Sequence, residues 1–462
     1  MLVAASAACS GAHDRMPAGD PSDTNDPGTS SSTGDGTTGG SGTTDGGSGG
    51  SGSDGGGGAT GDARCAPDNG GITLPPGFCA QVFVDHPGKL RHITVTPSGH
   101  VFVAVAAPEP VGVGSHVLAL YDADNNGVAD EESTFGIGGN GILWRDGWLY
   151  VAADDRIVRY PVPDGASAPS GDAEVIARDL PATPDHSAKS VALIGHAMYV
   201  NIGSPSNACQ VANRVLHSPG KDPCDELATR AGIWRFDAET ADQTLDCGTR
   251  YATGLRNTNA LAVDPATDQL WGGINGRDQL HENWPELYTE DQDKVLPSDE
   301  VVAITAGLDR GWPYCYHDVL AGEMKLAPEY GGDGVVQGRC AQIPSPEVAL
   351  DAHAAVLGMV FVTGTQFPPA YRAGALVANH GSRFDALGTA GLHGYDVEFL
   401  PFAHGAPTGD VLKFATGFDA GLRPLPDAAP HRPVGLAMMP DGSLLIGDDQ
   451  GGRIWRVFYT GS

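Results

Sequence analysis

The sequence predicts an all-β protein, a six-bladed β-propeller preceded by a disordered N-terminal tether rich in Gly, Ser, Thr and Asp. Two observations lead to this prediction. From Cys65 onward, short apolar runs rich in β-forming residues alternate with turn residues, and helical periodicity is nearly absent. One turn-and-strand phrase also recurs at intervals of about 50 residues, the length of a four-stranded propeller blade.

The first 62 residues cannot form a hydrophobic core. They contain 18 glycines, eight aspartates and one basic residue, with almost nothing branched or aromatic after Val3. This composition buries too little apolar surface to offset the conformational entropy lost on folding. We therefore expect residues 10–64 to form a flexible linker and residues 65–462 to form the propeller domain.

Residues 1–9 are small and apolar up to Cys9, and they resemble the end of a bacterial lipoprotein signal peptide, although truncated. In that interpretation Cys9 carries lipid, and the protein is anchored to a membrane in the periplasm or at the cell surface. The alternatives are a plain secretory leader or a cysteine without a special role. The lipoprotein and secretory interpretations both place the protein outside the cytoplasm.

The charge of the chain excludes some partners. Its formal net charge of −30 at pH 7 repels nucleic acid and anionic lipid surfaces. No run of about 18 apolar residues is present that would cross a bilayer. An anionic ligand of this protein must therefore be bound by locally clustered arginines.

Eight cysteines favour an oxidising compartment. Short separations suggest the pairs Cys65–Cys79, Cys209–Cys224 and Cys315–Cys340, although spacing alone leaves the connectivity open. Cys247 is then left over, and we expect a buried free thiol there. No CxxC pair is present, so we do not expect a zinc site.

The recurring phrase is a turn followed by an aromatic or aliphatic strand. Phe102, Tyr150 and Tyr199 occupy equivalent positions, 48 and 49 residues apart. A cysteine-bearing insertion at residues 205–230 lengthens the next interval, and a sixth, irregular unit covers residues 358–397. A two-sheet sandwich is the alternative fold, but it would not generate this repeat.

Radial closure requires the two ends of the propeller domain to share one blade. We expect a strand at residues 78–84 to complete the sheet that ends with residues 453–459. Loops at one mouth of the central channel then converge from every blade, so residues far apart in the sequence face a single ligand.

Histidines and arginines are concentrated where the inner strand of each unit is expected to begin. Together they indicate a pocket for a small, multiply charged anion with a general base beside it. Each arginine taken alone is explained equally well by pairing with a nearby aspartate at the rim. The segments are Asp185-His186, Gly254-Leu-Arg256-Asn257, Asn275-Gly276-Arg277-Asp278, His353, Asn379-His380-Gly-Ser382 and His431-Arg432-Pro-Val-Gly435.

Seven short motifs, in order along the folded region, together resemble the soluble pyrroloquinoline quinone (PQQ)-dependent sugar dehydrogenases, and most closely the sorbosone and aldose sugar dehydrogenase branch. They are Leu74-Pro-Pro-Gly-Phe78, Gly254-Leu-Arg-Asn257, Gly311-Trp-Pro-Tyr-Cys315, Gly364-Thr-Gln-Phe-Pro368, His380-Gly-Ser382, Arg432-Pro-Val-Gly435 and Asp448-Asp-Gln-Gly-Gly-Arg-Ile-Trp-Arg-Val457.

The resemblance implies PQQ on the top face of the propeller, a calcium ion bridging cofactor and protein, and a histidine that takes a proton from the sugar hydroxyl while hydride passes to the quinone. His186 matches this base, and Asp185 matches the carboxylate that orients its ring. Arg256 and Asn257 match residues at the quinone edge, and Arg432 matches one that binds a cofactor carboxylate.

The resemblance also implies where calcium binds. The backbone carbonyls of Asn275 and Gly276 match the calcium loop, and the ion would act as a Lewis acid. Arg277 is expected to face the cofactor, although it could point at the loop, and His380 occupies a position where some members have a lysine. Neighbouring residues depart from the family pattern, which leaves open a member that has lost PQQ.

A second loop follows the calcium-loop template, in which Asp122, Asp124, Asn126 and Asp130 supply the ligand positions. Its twelfth position is Ser133 instead of glutamate. We expect either a structural calcium ion or an acidic hairpin turn there.

Three residues are candidates for the substrate side of the pocket. Trp284 and Trp312 flank the expected active-site loop and are suited to stacking on a pyranose face. His353 is expected either to line the pocket or to be a buried histidine with satisfied hydrogen bonds.

The predicted function is PQQ- and calcium-dependent oxidation of an aldose or sugar-derived aldehyde, with electrons passed to an unidentified acceptor. Two alternatives remain. One is a calcium-dependent propeller lactonase, and the other is a non-catalytic surface propeller that binds a glycan or a protein.

Overall fold

The structure, a computed structural model, describes residues 64–106, 114–182, 185–382, 394–421 and 428–461. Residues 1–63 lie outside the described residues; they include the expected leader, the lipidation site Cys9 and all of the expected linker except its last residue. No helix within these ranges is long and apolar enough to cross a membrane.

Six antiparallel sheets confirm the predicted six-bladed propeller. In each blade the strands follow one another from the inner edge to the outer edge. Blade 1 comprises Lys89–Val95, Val101–Ala106, His116–Tyr121 and Glu131–Phe135; blade 2 Gly141–Arg145, Trp148–Ala152, Ile157–Pro161 and Glu174–Ala177; and blade 3 Val191–Ile194, Ala197–Ile202, Gly232–Asp237 and Thr249–Thr253, with Leu308–Asp309 added in parallel.

The other three blades have the same order. Blade 4 comprises Ala260–Val263, Leu270–Ile274, Ser298–Ile304 and Val348–Ala352; blade 5 Val356–Phe361, Gly374–Asn379, Asp396–Ala403 and Leu412–Ala415, with the short strand Ala406–Pro407; and blade 6 Pro433–Met438, Leu444–Asp448, Arg453–Tyr459 and Phe78–Asp85.

The propeller closes as predicted, because its first strand completes its last blade. Phe78–Asp85 pairs antiparallel with Arg453–Tyr459, so that Phe78 lies opposite Tyr459 and Asp85 lies opposite Arg453. The six inner strands form a ring in which each contacts the next and the sixth contacts the first. The alternative of a two-sheet sandwich is therefore wrong.

The blades pack against one another through their apolar faces. Phe102 of blade 1 packs with Leu149 of blade 2, and Tyr150 of blade 2 packs with Met198 and Trp234 of blade 3. These side chains are at most 4 % exposed. The aromatic residue that recurs in the sequence thus packs between neighbouring blades. Each blade needs one, which explains why it recurs at an interval of one blade.

Outside the blades, the part of the chain that the structure describes forms one hairpin and short helical turns. The hairpin consists of Cys315–Asp318 and Glu323–Leu326. The α-helical turns are Leu280–Asn283 and Glu290–Asp293, and the 3-10 turns are Asn69–Gly71, Asp225–Ala228, Leu245–Cys247, Pro328–Tyr330, Gly338–Gln342 and Pro369–Tyr371.

All three predicted disulfides are present, joining Cys65 to Cys79, Cys209 to Cys224 and Cys315 to Cys340. The expectation of a free thiol at Cys247 is wrong, because this residue is disulfide-bonded.

Two of the disulfides close the insertions in blades 3 and 4, and these insertions pack against each other. The Gly220 amide donates to the Glu329 carbonyl at 2.9 Å, and the Tyr330 hydroxyl donates to the Ala208 carbonyl at 3.1 Å.

Candidate active site

The candidate residues from separate blades lie at one end of the central channel. Every blade begins with its inner strand and the blades close in a ring, so the residues that start or precede these strands share one end, called here the top face. Arg91, Asn140, His186, Arg256 and Arg432 reach it from blades 1, 2, 3, 4 and 6.

A cavity of about 550 Å³ opens at the top face. Ligand pockets typically measure about 300–1,000 Å³, so its size suits a small molecule. Its polar lining includes Arg91, Asn140, Asp154, His380, Arg432 and Asp449.

His186 presents a fixed tautomer. Its Nδ1 lies 2.8 Å from the carbonyl oxygen of Ser204 and 3.1 Å from the hydroxyl of the same residue. The hydroxyl hydrogen is used in a 2.6 Å bond to the carbonyl of Ser206, so both oxygens of Ser204 accept from the ring. A neutral imidazole bound in this way carries its proton on Nδ1, which leaves Nε2 as the proton acceptor.

The backbone at His186 has an uncommon conformation and lies close to Gly203. Its φ of 51° lies in the left-handed region, which is uncommon for a residue other than glycine. Gly203 makes room for it, since a Cβ at residue 203 would lie 2.6 Å from the Cβ of His186 and 3.2 Å from the Oδ1 of Asn257. Gly203 therefore allows His186 and Asn257 to approach each other.

The imidazole of His186 is neutral at ordinary pH. Burial and the nearby guanidinium groups of Arg256 and Arg214 lower its pKa to about 3, against a smaller opposing effect of the Ser204 carbonyl and Asp278. The ring can therefore accept a proton without first losing one.

The orienting role predicted for Asp185 falls to Ser204 instead. The ring nitrogen of His186 is bound by the Ser204 oxygens, whereas the Asp185 carboxylate accepts from the Asn213 amide at 3.5 Å and its carbonyl accepts from Arg230. The ring of His186 lies against Ser204, which follows the second strand of blade 3, Ala197–Ile202.

Arg256 is buried and bonded mainly to protein groups. Its Nε and Nη2 donate to the carbonyl and side-chain oxygens of Asn207, both at 3.1 Å. Nη2 also donates to Asp278 at 3.0 Å, and Nη1 donates to the carbonyl of Gly276 at 2.7 Å. Because its donors are already bonded to protein groups, Arg256 contributes positive charge to the site and is not a free bidentate donor to a ligand carboxylate.

Three cationic groups contact the carboxylate of Asp278. Arg256 and Arg214 donate to one of its oxygens, at 3.0 and 3.2 Å, and Nδ1 of His353 lies 3.5 Å from the other. Burial opposes ionisation, but these partners hold the pKa of Asp278 well below its usual range. The expectation that His353 lines the pocket is wrong, since its Nε2 bonds the Asp293 carbonyl at 2.7 Å and its side chain is 7 % exposed.

Two more predicted residues are turned away from the cavity. Arg277 forms a buried ion pair with Glu329, which also accepts from the indole of Trp284 at 3.1 Å. The indole of Trp312 donates to the carbonyl of Asn207 at 2.9 Å, and its ring packs against the Cys209–Cys224 disulfide. The two insertions enclose both side chains and neither residue lines the cavity, so their positions do not support the cofactor contact expected of Arg277 or the sugar platform expected of Trp312.

On the other side of the top face, Arg432 donates to the carbonyls of His380 and Gly381 at 3.0 and 2.7 Å. Nε2 of His380 lies 2.6 Å from Asp449, whose second oxygen pairs with Arg91. His380 and Arg432 both line the cavity, and their binding of a cofactor stays a prediction.

The sequence reasoning missed Arg91, Asn140 and Asp449. Arg91 binds the Oδ1 of Asn140 through two nitrogens, at 2.8 and 2.6 Å. Arg91 and Asn140 stand at the starts of inner strands, so the rule that selected Arg256 and Arg432 would have found them had it been applied to blades 1 and 2.

The acidic loop of blade 1 brings together the carboxylates of Asp122, Asp124 and Asp130, whose ligand atoms lie within 4.8 Å of one another. Asp122 is buried and paired with Arg456, and it accepts from the Gly127 amide at 3.0 Å. The structure shows a turn closed by its own side chains, and calcium binding there stays a prediction.

Residues 72–460 match the family described as TrAA12-like. The chain belongs to this family. A protein of Borreliella burgdorferi described as uncharacterized is 25 % identical over 399 residues, which cover 84 % of this chain and 91 % of that protein.

Solved structures share the fold of this TrAA12-like protein. An iodide structure of a Trichoderma reesei enzyme of carbohydrate-active enzyme family AA12 is 18 % identical with a TM-score of 0.68, and covers 84 % of this chain and 98 % of its own. A calcium structure of the T. reesei enzyme has a TM-score of 0.67 at 19 % identity, over 84 % and 97 %.

The holo PQQ domain of a pyranose dehydrogenase from Coprinopsis cinerea has a TM-score of 0.66 at 17 % identity, over 84 % and 97 % of the two chains. The resemblance predicted from the seven motifs is therefore confirmed.

The residues of the TrAA12-like chain fit a PQQ cofactor. PQQ carries three carboxylates, and Arg91 and Arg432 line the cavity with guanidinium groups that suit them. Oδ1 of Asn257 is buried and has no hydrogen-bond partner among the described residues, so it is an acceptor that a bound group can use.

The expected calcium ligands fit less well. The Gly276 carbonyl accepts a 2.7 Å hydrogen bond from Arg256, and the Asn275 carbonyl lies 3.5 Å from the same nitrogen. A divalent cation on these oxygens would stand beside a guanidinium, which opposes its binding. We therefore assign no calcium ion to Asn275 and Gly276.

Proposed function

We propose that this TrAA12-like protein is a PQQ-dependent dehydrogenase that oxidises an aldose or a sugar-derived aldehyde. The observation that carries the proposal is the convergence, on one face of the propeller, of Arg91 and Arg432 with a histidine whose Nε2 is available as a base. Arg91 and Arg432 line the cavity, and His186 stands at the same face in the segment that precedes the inner strand of blade 3.

The binding roles follow from the cavity. Arg432 is held by two backbone carbonyls, and Arg91 is held by Asn140 and Asp449, so both guanidinium groups are preorganised before a ligand arrives. Charge-assisted hydrogen bonds from such groups to carboxylates are stronger than hydrogen bonds between neutral groups. When bound, PQQ would supply an electrophilic quinone carbonyl that accepts a hydride.

The base would act through one atom. Nε2 of His186 would take the proton of the sugar hydroxyl, while the Ser204 carbonyl keeps the other ring proton in place. Arg256 disfavours the imidazolium that forms, so an anion bound near Arg256 raises the pKa of His186 and makes it a stronger base. The strength of the base would then depend on whether an anion lies beside Arg256.

The alternatives have less support. A propeller lactonase needs carboxylates that converge on a metal ion at the channel. Among the described residues, two clusters have metal-ligand residue types, but Cys209 and Cys224 of the first are joined in a disulfide, and the second, the acidic loop of blade 1, does not stand at the start of an inner strand. The three disulfides support an extracytoplasmic location, and lipid attachment at Cys9 stays a prediction.

Reconstitution tests the proposal and separates it from a non-catalytic binding propeller. Purified apoprotein is mixed with PQQ, with and without Ca²⁺, and reduction of an artificial electron-accepting dye is followed with a panel of aldoses. We expect sugar-dependent dye reduction that requires PQQ. A protein that binds no PQQ and reduces no dye under any of these conditions would contradict the proposal.

A further inference from the structure

Asn207 connects the blade-3 insertion to the candidate site. It is fully buried, and its side-chain oxygen accepts from Nη2 of Arg256 at 3.1 Å and from the amide of Asp278 at 2.9 Å. Its amide nitrogen donates to the carbonyl of Asp278 at 2.8 Å. Its backbone carbonyl accepts from Nε of Arg256 and from the indole of Trp312.

We propose that Asn207 is the positioning residue of Arg256, through which the disulfide-closed insertion at residues 205–230 sets the strength of cofactor binding. The proposal rests on the proposed function. Asn207 is a positioning residue and not a binding residue, because its polar side-chain atoms are all bonded to protein groups.

The contacts of Arg256 show why a single amide has this influence. The other groups that bind its guanidinium are the Gly276 carbonyl and the Asp278 carboxylate, on the loop at residues 275–278. Asn207 holds that same loop through two bonds to the backbone of Asp278. Removal of the side-chain amide therefore removes one hydrogen bond to Arg256 and also the two bonds that hold the loop whose groups bind Arg256.

The effect extends to the base. Arg256 is the charged neighbour that most lowers the pKa of His186. An Arg256 that leaves its position would let the pKa of His186 rise. This gives a readout in the apoprotein that a merely stabilising role of Asn207 would not move.

The experiment compares Asn207→Ala with Arg256→Ala and with the double variant. PQQ affinity is measured by titration of protein fluorescence. We expect Asn207→Ala to weaken affinity by roughly tenfold or more, as for loss of a hydrogen bond to a charged group. In the Arg256→Ala background the same substitution should have little further effect, because its action passes through Arg256.

The matched control removes another buried amide. Gln243→Ala deletes a side chain that donates to three carbonyls, those of Ile176, Asp237 and Thr240. It should lower thermal stability and leave PQQ affinity unchanged. Asn207→Ser is measured alongside as a milder truncation, in case the alanine variant does not fold.

The second readout does not need PQQ. Modification of His186 by diethyl pyrocarbonate, followed by peptide mass spectrometry over a pH series, reports when the imidazole becomes neutral. We expect the midpoint to move upward in the Asn207 variants and not in Gln243→Ala. Additive effects on PQQ affinity, or an unmoved His186 midpoint, would overturn the proposal. Absence of PQQ binding in the unaltered protein would refute the proposed function, while the His186 midpoint still decides the role of Asn207.

Discussion

The ring of His186 and the carbonyl of Ser204 are joined by a 2.8 Å hydrogen bond across two top-face segments of blade 3. A carbonyl only accepts, so this contact places the ring proton on Nδ1 and leaves Nε2 unprotonated. The chemistry proposed for the protein depends on that assignment more than on any other contact.

Replacement of His186 by Ala should therefore abolish turnover while PQQ binding is retained. Loss of a general base typically reduces kcat by about 10²–10⁴-fold. Steady-state dye reduction measures kcat, and the quinone absorbance of the reconstituted protein measures occupancy. Undiminished turnover would remove His186 from the mechanism.

Arg432→Ala should weaken cofactor retention. The charge-assisted bonds that a guanidinium makes to a carboxylate contribute roughly 1.5–3 kcal/mol, which corresponds to about ten- to a hundredfold in Kd. Arg178→Ala is the control, because Arg178 is partly exposed and pairs with Asp179 and Asp242. Equal PQQ affinities of Arg432→Ala and Arg178→Ala would contradict the assignment of Arg432.

Arg277 should matter for stability and not for the cofactor. Arg277→Met leaves the fully buried Glu329 carboxylate without its guanidinium, a change that costs about 3–5 kcal/mol in comparable buried pairs. The double variant Arg277→Met, Glu329→Gln should recover part of this loss. Urea unfolding measures the stability of each variant, and a PQQ titration that showed strong loss of affinity in the double variant would restore a cofactor role for Arg277.

The buried imidazolium of His353 should make stability depend on pH. Burial opposes its charge, but the carboxylate of Asp278, the carbonyl of Asp293 and the charge of Asp299 raise the pKa of His353 to about 9. Because this pKa lies above the unfolded value of about 6.5, the contribution is fully present below pH 6.5 and is lost as the pH rises through 9.

Thermal unfolding between pH 6 and pH 10 tests this relation. We expect Tm to fall across the upper part of this range, with a smaller decline in His353→Gln, which cannot bind the proton. Parallel curves for the two proteins would show that His353 does not contribute.

The acidic loop offers a calcium test that is separate from catalysis. An ion that binds the folded state alone raises Tm with its concentration. We expect Ca²⁺ to raise Tm more than Mg²⁺, because clustered flexible carboxylates suit the larger ion, and we expect Asp130→Asn to reduce the shift. Asp146→Asn, in an exposed hairpin turn, is the control, and an unchanged Tm of the parent protein with Ca²⁺ would favour a plain acidic turn.

Much of this site was accessible from the sequence because it follows from repetition. Phe102, Tyr150 and Tyr199 recur at the spacing of one blade, and the start of each inner strand must then lie on the top face. His186 and Arg432 were found in this way. The closing strand at Phe78–Asp85 followed from the need to leave no unpaired edge.

The partners of these side chains were decided only by the tertiary structure. Asp185 lies next to His186 in the chain, yet Ser204 orients the ring, and Arg277 and Trp312 turn into the insertions and not toward the cavity. Periodicity reports which face of a strand a residue occupies, and it is a local property of the chain. Which polar groups meet depends on how separate blades and insertions pack, because a buried charge takes the partner that packing brings within hydrogen-bonding distance.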